Sequence, residues 1–223
     1  MTRNAIRLVL ADDHAVMREG LRLLLGTQAD LQIVAEAGTG TDALNAIIDH
    51  KPDVALLDIS MPAMNGMEVL RAVQEHKRAT RVVLLSMHDN PQLAAEAISL
   101  GAAGYVLKGG GAADIVHAIR SAARNQRFLS PPLAPAVEAI LARGLEHSPL
   151  AALSSRERQV LQLVVEGKSS SEIAKLLHLS PKTVDTYRSR LMQKLDVPDV
   201  VALVRLAVRL GIVDPHAGAP SNR

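Results

Sequence analysis

The chain changes its pattern of apolar residues a little beyond its middle, and this change limits the folds that it can adopt. Over about the first 125 residues, short continuous apolar runs alternate with stretches whose apolar residues recur at helical spacing. Continuous apolar strands that alternate with helices are typical of a parallel sheet covered by helices on both faces. From Leu153 onward no strand-like run occurs. We therefore predict an α/β domain followed by an all-α domain.

Five apolar runs are predicted to be the strands of the first domain. They are Ile6–Ala11, Leu31–Ala37, Val54–Leu57, Arg81–Leu85 and Gly104–Leu107. The stretches that separate and follow them, at about 15–25, 41–50, 66–76, 91–100 and 112–124, have the apolar spacing of helices with one buried face. The sequence thus predicts a doubly wound, five-stranded parallel sheet.

Prolines and glycines interrupt this pattern between the two domains. Pro131, Pro132 and Pro135 lie close together, and Gly144 and Pro149 follow. The predicted organisation is a first domain over residues 1–125, a linker over 126–149 with one short helix at about 133–142, a second domain over 150–213 and a flexible tail over 214–223.

The second domain is predicted to contain four helices. They span about 155–166, 170–177, 181–195 and 198–210. Ser154 with Glu157, and Ser169 with Glu172, have the spacing of capping boxes, and Ser180 precedes a proline suited to the first helical position. A three-residue turn joins the second helix to a cationic third helix, an arrangement that suits entry into the major groove of DNA. The alternative is an ordinary helical hairpin with a solvated basic face.

The charge distribution and the aromatic content limit the classes of function that the chain can have. The net charge is +2, but residues 148–213 carry ten Lys and Arg against six Asp and Glu, an excess that fits either a polyanionic partner or a solvated basic surface. Aromatic residues make up 1% of the chain, which argues against single-strand nucleic-acid binding through stacked bases. The absence of cysteine excludes disulfides and thiol catalysis.

No segment has the length and apolar character needed to cross a bilayer. The apolar stretch at residues 197–213 is interrupted by Asp199, Arg205 and Arg209, and Met1 to Arg7 lack the apolar run of a signal peptide. We therefore expect a cytoplasmic protein without membrane contact.

Polar side chains follow four of the predicted strands. Asp12 and Asp13 follow the first strand, Asp58 the third, Ser86 the fourth and Lys108 the fifth. Because the carboxyl ends of parallel strands meet at one edge of a sheet, we expect these side chains to lie together. Each alone is more often a surface loop residue or a helix cap, but their joint occurrence at successive strand ends is hard to ascribe to chance.

Three neighbouring carboxylates repel one another unless a cation lies between them. An all-oxygen ligand set favours Mg²⁺, which the backbone carbonyl of Ser60 could complete. A carboxylate beside Mg²⁺ can accept a phosphoryl group, while Lys108 pairs with the phosphoryl oxygens and Ser86 donates a hydrogen bond to one of them.

Three segments of the first domain resemble the receiver domain of two-component response regulators. They are residues 9–14 (VLADDH), 57–66 (LDISMPAMNG) and 104–108 (GYVLK), and the resemblance covers about the first 125 residues. It implies a flavodoxin-like fold with Asp58 as the phospho-acceptor and Asp12 and Asp13 as Mg²⁺ ligands. It also implies that Ser86 is the switch hydroxyl, that Lys108 contacts the phosphate and that Tyr105 is the switch aromatic residue. The alternative for Tyr105 is a half-buried strand residue.

Segments of the second domain, at residues 153–161, 166–169, 172–174 and 183–188, are similar to the LuxR-type DNA-binding domain. Joined to a receiver domain, they indicate a response regulator of the NarL/FixJ family. In that family the helix at 181–195 would read the groove. Its predicted DNA-contacting residues are Lys182, Thr183, Val184, Asp185, Thr186, Arg188, Ser189, Arg190 and Lys194.

The predicted contacts divide by chemistry. We expect Asp185, Thr186 and Ser189 to face base edges and Lys182, Arg188 and Lys194 to favour phosphates. Many family members have lysine where Asp185 stands and histidine where Tyr187 stands, and a carboxylate prefers the amino group of cytosine. The family also implies dimerisation through Val200, Val201, Val204 and Val208.

The resulting hypothesis is a transcription factor that a sensor histidine kinase switches by phosphorylating Asp58. Its predicted partners are double-stranded promoter DNA, a second copy of the chain when phosphorylated or bound to DNA, and RNA polymerase. One alternative is an aspartyl-phosphate enzyme, but such enzymes need a second acid where this chain has Ser60. The other is a regulator that acts without phosphate, and the complete acidic site argues against it. We therefore predict a protein that is not an enzyme.

Overall fold

The computed structural model describes residues 5–62, 64–76, 79–87, 89–143, 152–177 and 179–210. The chain divides into two compact units, residues 1–145 and 146–223. The predicted tail at 214–223 and the last part of the predicted linker, from residue 144, lie outside the described residues.

A parallel sheet of six strands forms the centre of the first unit, in the order β2-β1-β3-β4-β5-β6. The strands are β1 (Ile6–Ala11), β2 (Leu31–Ala37), β3 (Val54–Asp58), β4 (Arg81–Ser86), β5 (Gly104–Leu107) and β6 (Phe128–Leu129). The helices are α1 (Ala15–Gly26), α2 (Gly40–His50), α3 (Gly66–Glu75), α4 (Pro91–Ser99), α5 (Ala112–Ala123) and α6 (Ala134–Arg143).

Helices cover both faces of this sheet, because its strands alternate their side chains between two apolar clusters. On one face, side chains of α2, α3, α4 and α6 pack against Val9, Leu57 and Leu84. On the other face, α1 and α5 pack against Leu8 and Leu56. The predicted doubly wound fold is thereby confirmed.

The sheet has one strand more than the five that the sequence predicted. Phe128 and Leu129 pair with Gly104 and Tyr105 of β5, within the segment predicted to be a linker. The short helix predicted in that segment is present as α6, and it packs against α4. Residues 128–143 are therefore part of the first unit. Two residues are too few to give an apolar pattern, which is why the strand was not predicted.

The second unit contains four helices among its described residues, as predicted. They are α7 (Ser155–Val165), α8 (Ser170–Leu177), α9 (Pro181–Lys194) and α10 (Val200–Arg209). The Ser154 and Ser169 capping boxes form, and the Ser180 hydroxyl accepts a hydrogen bond from the N–H of Thr183. The core of this unit includes Val160, Ile173, Val184, Leu191 and Leu203, with Tyr187 packed against it. In the described parts of the chain, no helix has the length and apolar character of a membrane span.

Candidate functional site

The carboxyl edge of the sheet gathers the side chains that the sequence predicted there. Asp12 follows β1, Asp58 ends the neighbouring strand β3, Ser86 ends β4 and Lys108 follows β5. Asp12, Asp58 and Ser86 are buried, with exposed fractions of 0%, 2% and 3%. Because β1 and β3 are adjacent, their terminal carboxylates meet at one point of the edge.

The Lys108 ammonium bridges two of the carboxylates. Its Nζ lies 2.8 Å from Asp12 Oδ2 and 2.9 Å from Asp58 Oδ2, and its side chain is 4% exposed. A buried charge is tolerated only when opposite charges compensate it. The two carboxylates therefore stabilise the charged form of Lys108 at this site.

Negative charge nevertheless exceeds positive charge at this edge. The potential ligand atoms of Asp12, Asp13, His14 and Asp58 all lie within 4.8 Å of one another. Asp12 Oδ2, Asp13 Oδ1 and Asp58 Oδ2 are buried, and their close contacts are with Lys108 Nζ for the first and third and with His14 Nδ1 for the second. Three carboxylates with free oxygen lone pairs are a donor set that suits a hard divalent cation.

At Asp58 and at Lys108, burial and the oppositely charged partner shift the pKa in opposite directions. Burial raises the pKa of Asp58 to about 6, and the nearby Asp12 adds to this effect while Lys108 counteracts it. Burial alone would lower the pKa of Lys108, but attraction to Asp58 and Asp12 outweighs burial and raises that pKa. A second cation at the site would favour the ionised form of Asp58.

The loop after β3 is held tightly against Asp58. The N–H of Gly66 donates to the carbonyl of Ile59 at 3.0 Å, and a Cβ at Gly66 would lie 2.4 Å from the carbonyl oxygen of Asp58. Asn65 and Glu68 close a capping box at the start of α3. The loop and helix thus fix the Asp58 backbone. The structure gives Ser60 one contact with the carboxylate, an N–H 3.4 Å from Asp58 Oδ1, and metal binding by its carbonyl stays a prediction.

His14 also belongs to this cluster, although sequence reasoning did not single it out. Its backbone N–H donates to Asp12 Oδ1 at 2.9 Å, and its Nδ1 lies 2.8 Å from Asp13 Oδ1. Its position directly after the two aspartates was the available signal. Arg18 of α1 approaches the same segment, with Nη1 donating to the carbonyl of Asp12.

Tyr105 lies on β5 in the sheet interior and is fully buried rather than half-buried, and its role as the switch aromatic residue stays a prediction. Burial raises the pKa of its phenol to about 12, which keeps the side chain neutral. Tyr105 is on β5, next to the strand that ends at Ser86.

In the second unit, α9 displays most of the residues predicted to contact DNA. Lys182, Asp185, Thr186, Ser189, Arg190 and Lys194 are exposed, and Thr183 and Arg188 are half-buried. Val184 was predicted to contact DNA, but its side chain is fully buried in the core and faces away from the exposed side of the helix.

The polar residues on α9 also bond to one another and to α8. Arg188 Nη1 donates to Ser170 Oγ at 2.9 Å, and Ser170 Oγ donates to Asp185 Oδ1 at 2.6 Å. Sequence reasoning missed Ser170, which has no distinguishing pattern of its own among three consecutive serines. The hydroxyls of Thr186 and Ser189 donate to backbone carbonyls one turn earlier on the helix.

Lys194 has a partner within the unit. Its Nζ lies 2.7 Å from Glu157 Oε2. Burial favours the protonated form of Glu157, but hydrogen bonds from Lys194 and Ser154 outweigh it and lower the pKa. This ion pair joins α9 to α7, so Glu157 partly neutralises the charge of Lys194.

Helix α10 presents a partly apolar surface. Val201 is 61% exposed, and Val200, Val204 and Val208 are half-buried. Leu203 and Ala207 hold the opposite side of the helix in the core. The four valines therefore remain candidates for dimerisation.

Two family descriptions match the chain. Residues 8–120 match the response regulator receiver domain, and residues 151–207 match the luxR family of bacterial regulatory proteins. The chain is 36% identical over 209 residues to the response regulator UvrY of Escherichia coli K12, covering 93% of this chain and 95% of that protein. It is 39% identical over 210 residues to the probable transcriptional regulatory protein NarL of Mycobacterium tuberculosis H37Rv, covering 94% and 96%.

Solved structures agree with these matches. The receiver domain of Mycobacterium tuberculosis NarL is 41% identical, with a TM-score of 0.53 and coverage of 54% of this chain and 98% of that one. RcsB of Salmonella enterica serovar Typhimurium, bound to the promoter rprA with the phosphomimetic BeF3⁻, is 28% identical, with a TM-score of 0.63 and coverage of 91% and 98%. The chain belongs to the NarL/FixJ family of response regulators, with a receiver domain followed by a LuxR-type helix-turn-helix domain.

Proposed function

We propose that this regulator accepts a phosphoryl group on Asp58 from a sensor histidine kinase, with Mg²⁺, and that the phosphorylated protein binds promoter DNA through α9. The observation that carries the proposal is the Lys108 ammonium between the buried carboxylates of Asp12 and Asp58, with Asp13 beside them. A buried carboxylate with a lysine and further acidic groups at one strand edge is suited to binding a cation and a phosphoryl group together.

Asp12, Asp13 and Asp58 are the residues that would hold Mg²⁺, with the carbonyl of Ser60 as a further ligand. Their buried oxygens, whose close contacts are with Lys108 and His14, and the excess of negative charge support this assignment. Bound there, the cation neutralises charge on the phosphoryl oxygens.

The transfer needs Asp58 in its ionised form. One carboxylate oxygen forms a bond to phosphorus while the bond from phosphorus to the kinase's histidine nitrogen breaks. The nitrogen keeps the electron pair, so the kinase is returned with an unmodified histidine. Lys108, already 2.9 Å from Asp58, pairs with an oxygen of the transferred group. The Ser86 hydroxyl would then donate to the phosphoryl group and the buried ring of Tyr105 would follow it.

DNA binding is proposed for the exposed side of α9. Lys182 and Arg190 are exposed cations there, and Asp185 is an exposed acceptor for base edges. The likeness to RcsB supports this proposal, since solved RcsB structures include DNA complexes, one of them with two RcsB dimers on two parallel DNAs. We extend the proposal to a homodimer through Val200, Val201, Val204 and Val208, to contact with RNA polymerase and to action in the cytoplasm.

The test compares two aspartates at opposite ends of β3. Wild type, Asp58→Asn and the matched control Asp53→Asn are incubated with acetyl phosphate and Mg²⁺, and their intact masses are measured. Asp53 is exposed and precedes the strand, so wild type and Asp53→Asn should each gain one phosphoryl group. Asp58→Asn should gain none, and a chelator should prevent the gain in wild type.

Selection of duplexes from a random-sequence DNA library, with and without acetyl phosphate, tests the second half of the proposal. Phosphorylated wild type should enrich sites that Asp58→Asn does not. Phosphoryl uptake by Asp58→Asn would remove Asp58 from its proposed role. Equal enrichment with and without the phosphodonor would show that DNA binding is not controlled by it.

A further inference from the structure

Helix α4 is enclosed to an unusual degree for an outer helix of a sheet. Its six consecutive residues from Leu93 to Ile98 are all buried, whereas a helix lying on a sheet ordinarily buries one face. The additional cover comes from the segment that leads into α6. Leu133 and Val137 are 2% and 0% exposed and belong to the same apolar cluster as the side chains of α4.

The start of α6 is also tied to the backbone of the strand that carries Tyr105. The N–H of Ser130 donates to the carbonyl of Tyr105 at 3.0 Å, and the N–H of Leu107 donates to Ser130 Oγ at 2.9 Å. The N–H of Leu133 then donates to the carbonyl of Ser130 at 2.9 Å. Ser130 is 1% exposed, so one buried residue links β5 to the first turn before α6.

Tyr105 also belongs to the apolar cluster that includes the buried residues Leu133 and Val137. It is the largest fully buried side chain of the described residues. Close-packed interiors do not absorb the movement of a large side chain without a change in its neighbours. In sequence, α6 ends at Arg143, and the second unit begins at residue 146.

We propose that β6 and α6 are the output element of the receiver domain: phosphorylation of Asp58 changes how firmly α6 is docked on α4, and Ser130 and Leu133 carry that change. This inference rests on the proposed function of Asp58. The inward Tyr105 of this structure coexists with docked α6. In the proposed function the Tyr105 ring follows the Ser86 hydroxyl toward the phosphoryl group, so we expect phosphorylation to favour the inward ring and, with it, docked α6. An effector shifts such an equilibrium only through its different affinity for the two states.

Hydrogen exchange on the full chain, read by mass spectrometry with and without acetyl phosphate and Mg²⁺, tests the inference. In wild type, peptides covering residues 134–143 should exchange more slowly after phosphorylation. Leu133→Ala should abolish this difference while the protein still gains the phosphoryl group. The matched control is Leu25→Ala, an equal truncation in the cluster on the other face of the sheet, which should keep the difference.

Ser130→Ala provides a milder second variant if Leu133→Ala does not fold, and it should reduce the difference in exchange. Unchanged or faster exchange of α6 in wild type that carries the phosphoryl group would overturn the inference and leave the role of Asp58 intact. Absence of the mass gain in wild type would instead remove the proposed function, and the inference with it. If Ser130 and Leu133 only stabilised the fold, hydrogen exchange at α6 would be the same with and without phosphorylation.

Discussion

The two units of this chain hold their charged side chains in opposite ways. In the first unit, Asp12, Asp58 and Lys108 have side chains that are at most 4% exposed, and Lys108 Nζ lies 2.8 Å and 2.9 Å from the two carboxylates. In the second unit, Lys182 and Asp185 stand exposed on α9. A buried charge destabilises the fold when its partner is removed, whereas an exposed charge is solvated and contributes little to the free energy of unfolding. Single substitutions should therefore have large effects at the first site and graded effects at the second.

Removal of the buried lysine should show this contrast most strongly. Lys108→Met leaves the buried carboxylates without their cation, and we expect the free energy of unfolding at neutral pH to fall by about 3–5 kcal/mol. The control is Lys175→Met, an exposed lysine on α8, with an expected change below about 0.5 kcal/mol. Urea denaturation in a chelating buffer measures both. Similar losses for the two variants would contradict the contrast.

The pH dependence of stability should separate the buried site from ordinary surface carboxylates. The folded-state pKa of Asp58 is raised to about 6 from 3.8. Between these two pH values, the folded protein therefore keeps a proton on Asp58 that the unfolded chain releases. Its contribution to stability is therefore complete below about pH 4 and is lost as the pH rises through 6. We expect a loss of about 3 kcal/mol in wild type relative to Asp58→Asn, measured by urea denaturation from pH 4 to 7.5.

Magnesium gives the control for this measurement. A bound divalent cation stabilises the ionised carboxylate, so saturating Mg²⁺ should remove the loss above pH 6 in wild type. Asp58→Asn should show a smaller response to the metal. A pH profile that is the same for the two proteins would mean that Asp58 is solvated in the folded state.

The smallest effects are expected on α9, where two lysines can be compared. Lys182→Ala should weaken binding to all duplexes alike and lower the slope of log affinity against log salt by about 1. Lys194→Ala removes the ion pair with Glu157, and it should cost under about 1 kcal/mol of stability with a smaller change in the salt slope. Fluorescence anisotropy over a salt series, with urea denaturation alongside, checks both. An equal fall in slope would show that Lys194 also reaches the phosphates.

The same contrast explains what could be predicted from the sequence. At the first site, each functional residue stands at the end of an apolar strand, and the topology of a parallel sheet brings strand ends together. Asp12, Asp58 and Lys108 could thus be placed beside one another without coordinates. Strand β6 could not be placed, because Phe128 and Leu129 become a strand only through pairing with β5 and the packing of α6 beside them.

On α9, helical spacing identifies a face but not the contacts made by each side chain. Val184 was included among the DNA-contacting residues, yet it belongs to the buried side of the same helix. The bonds from Ser170 to Asp185 and Arg188 depend on how α8 lies against α9. No sequence spacing encodes that crossing, so Ser170 could not be found in advance.

The burial of Tyr105 has a practical consequence for spectroscopy. The chain has two tyrosines and no tryptophan, and the other tyrosine, Tyr187, packs against the core of the second unit. Intrinsic ultraviolet emission therefore has one source in each unit. With Tyr187→Phe, the remaining emission reports on Tyr105 alone, and with Tyr105→Phe it reports on α9. The unlabelled protein thus carries one optical reporter in each unit.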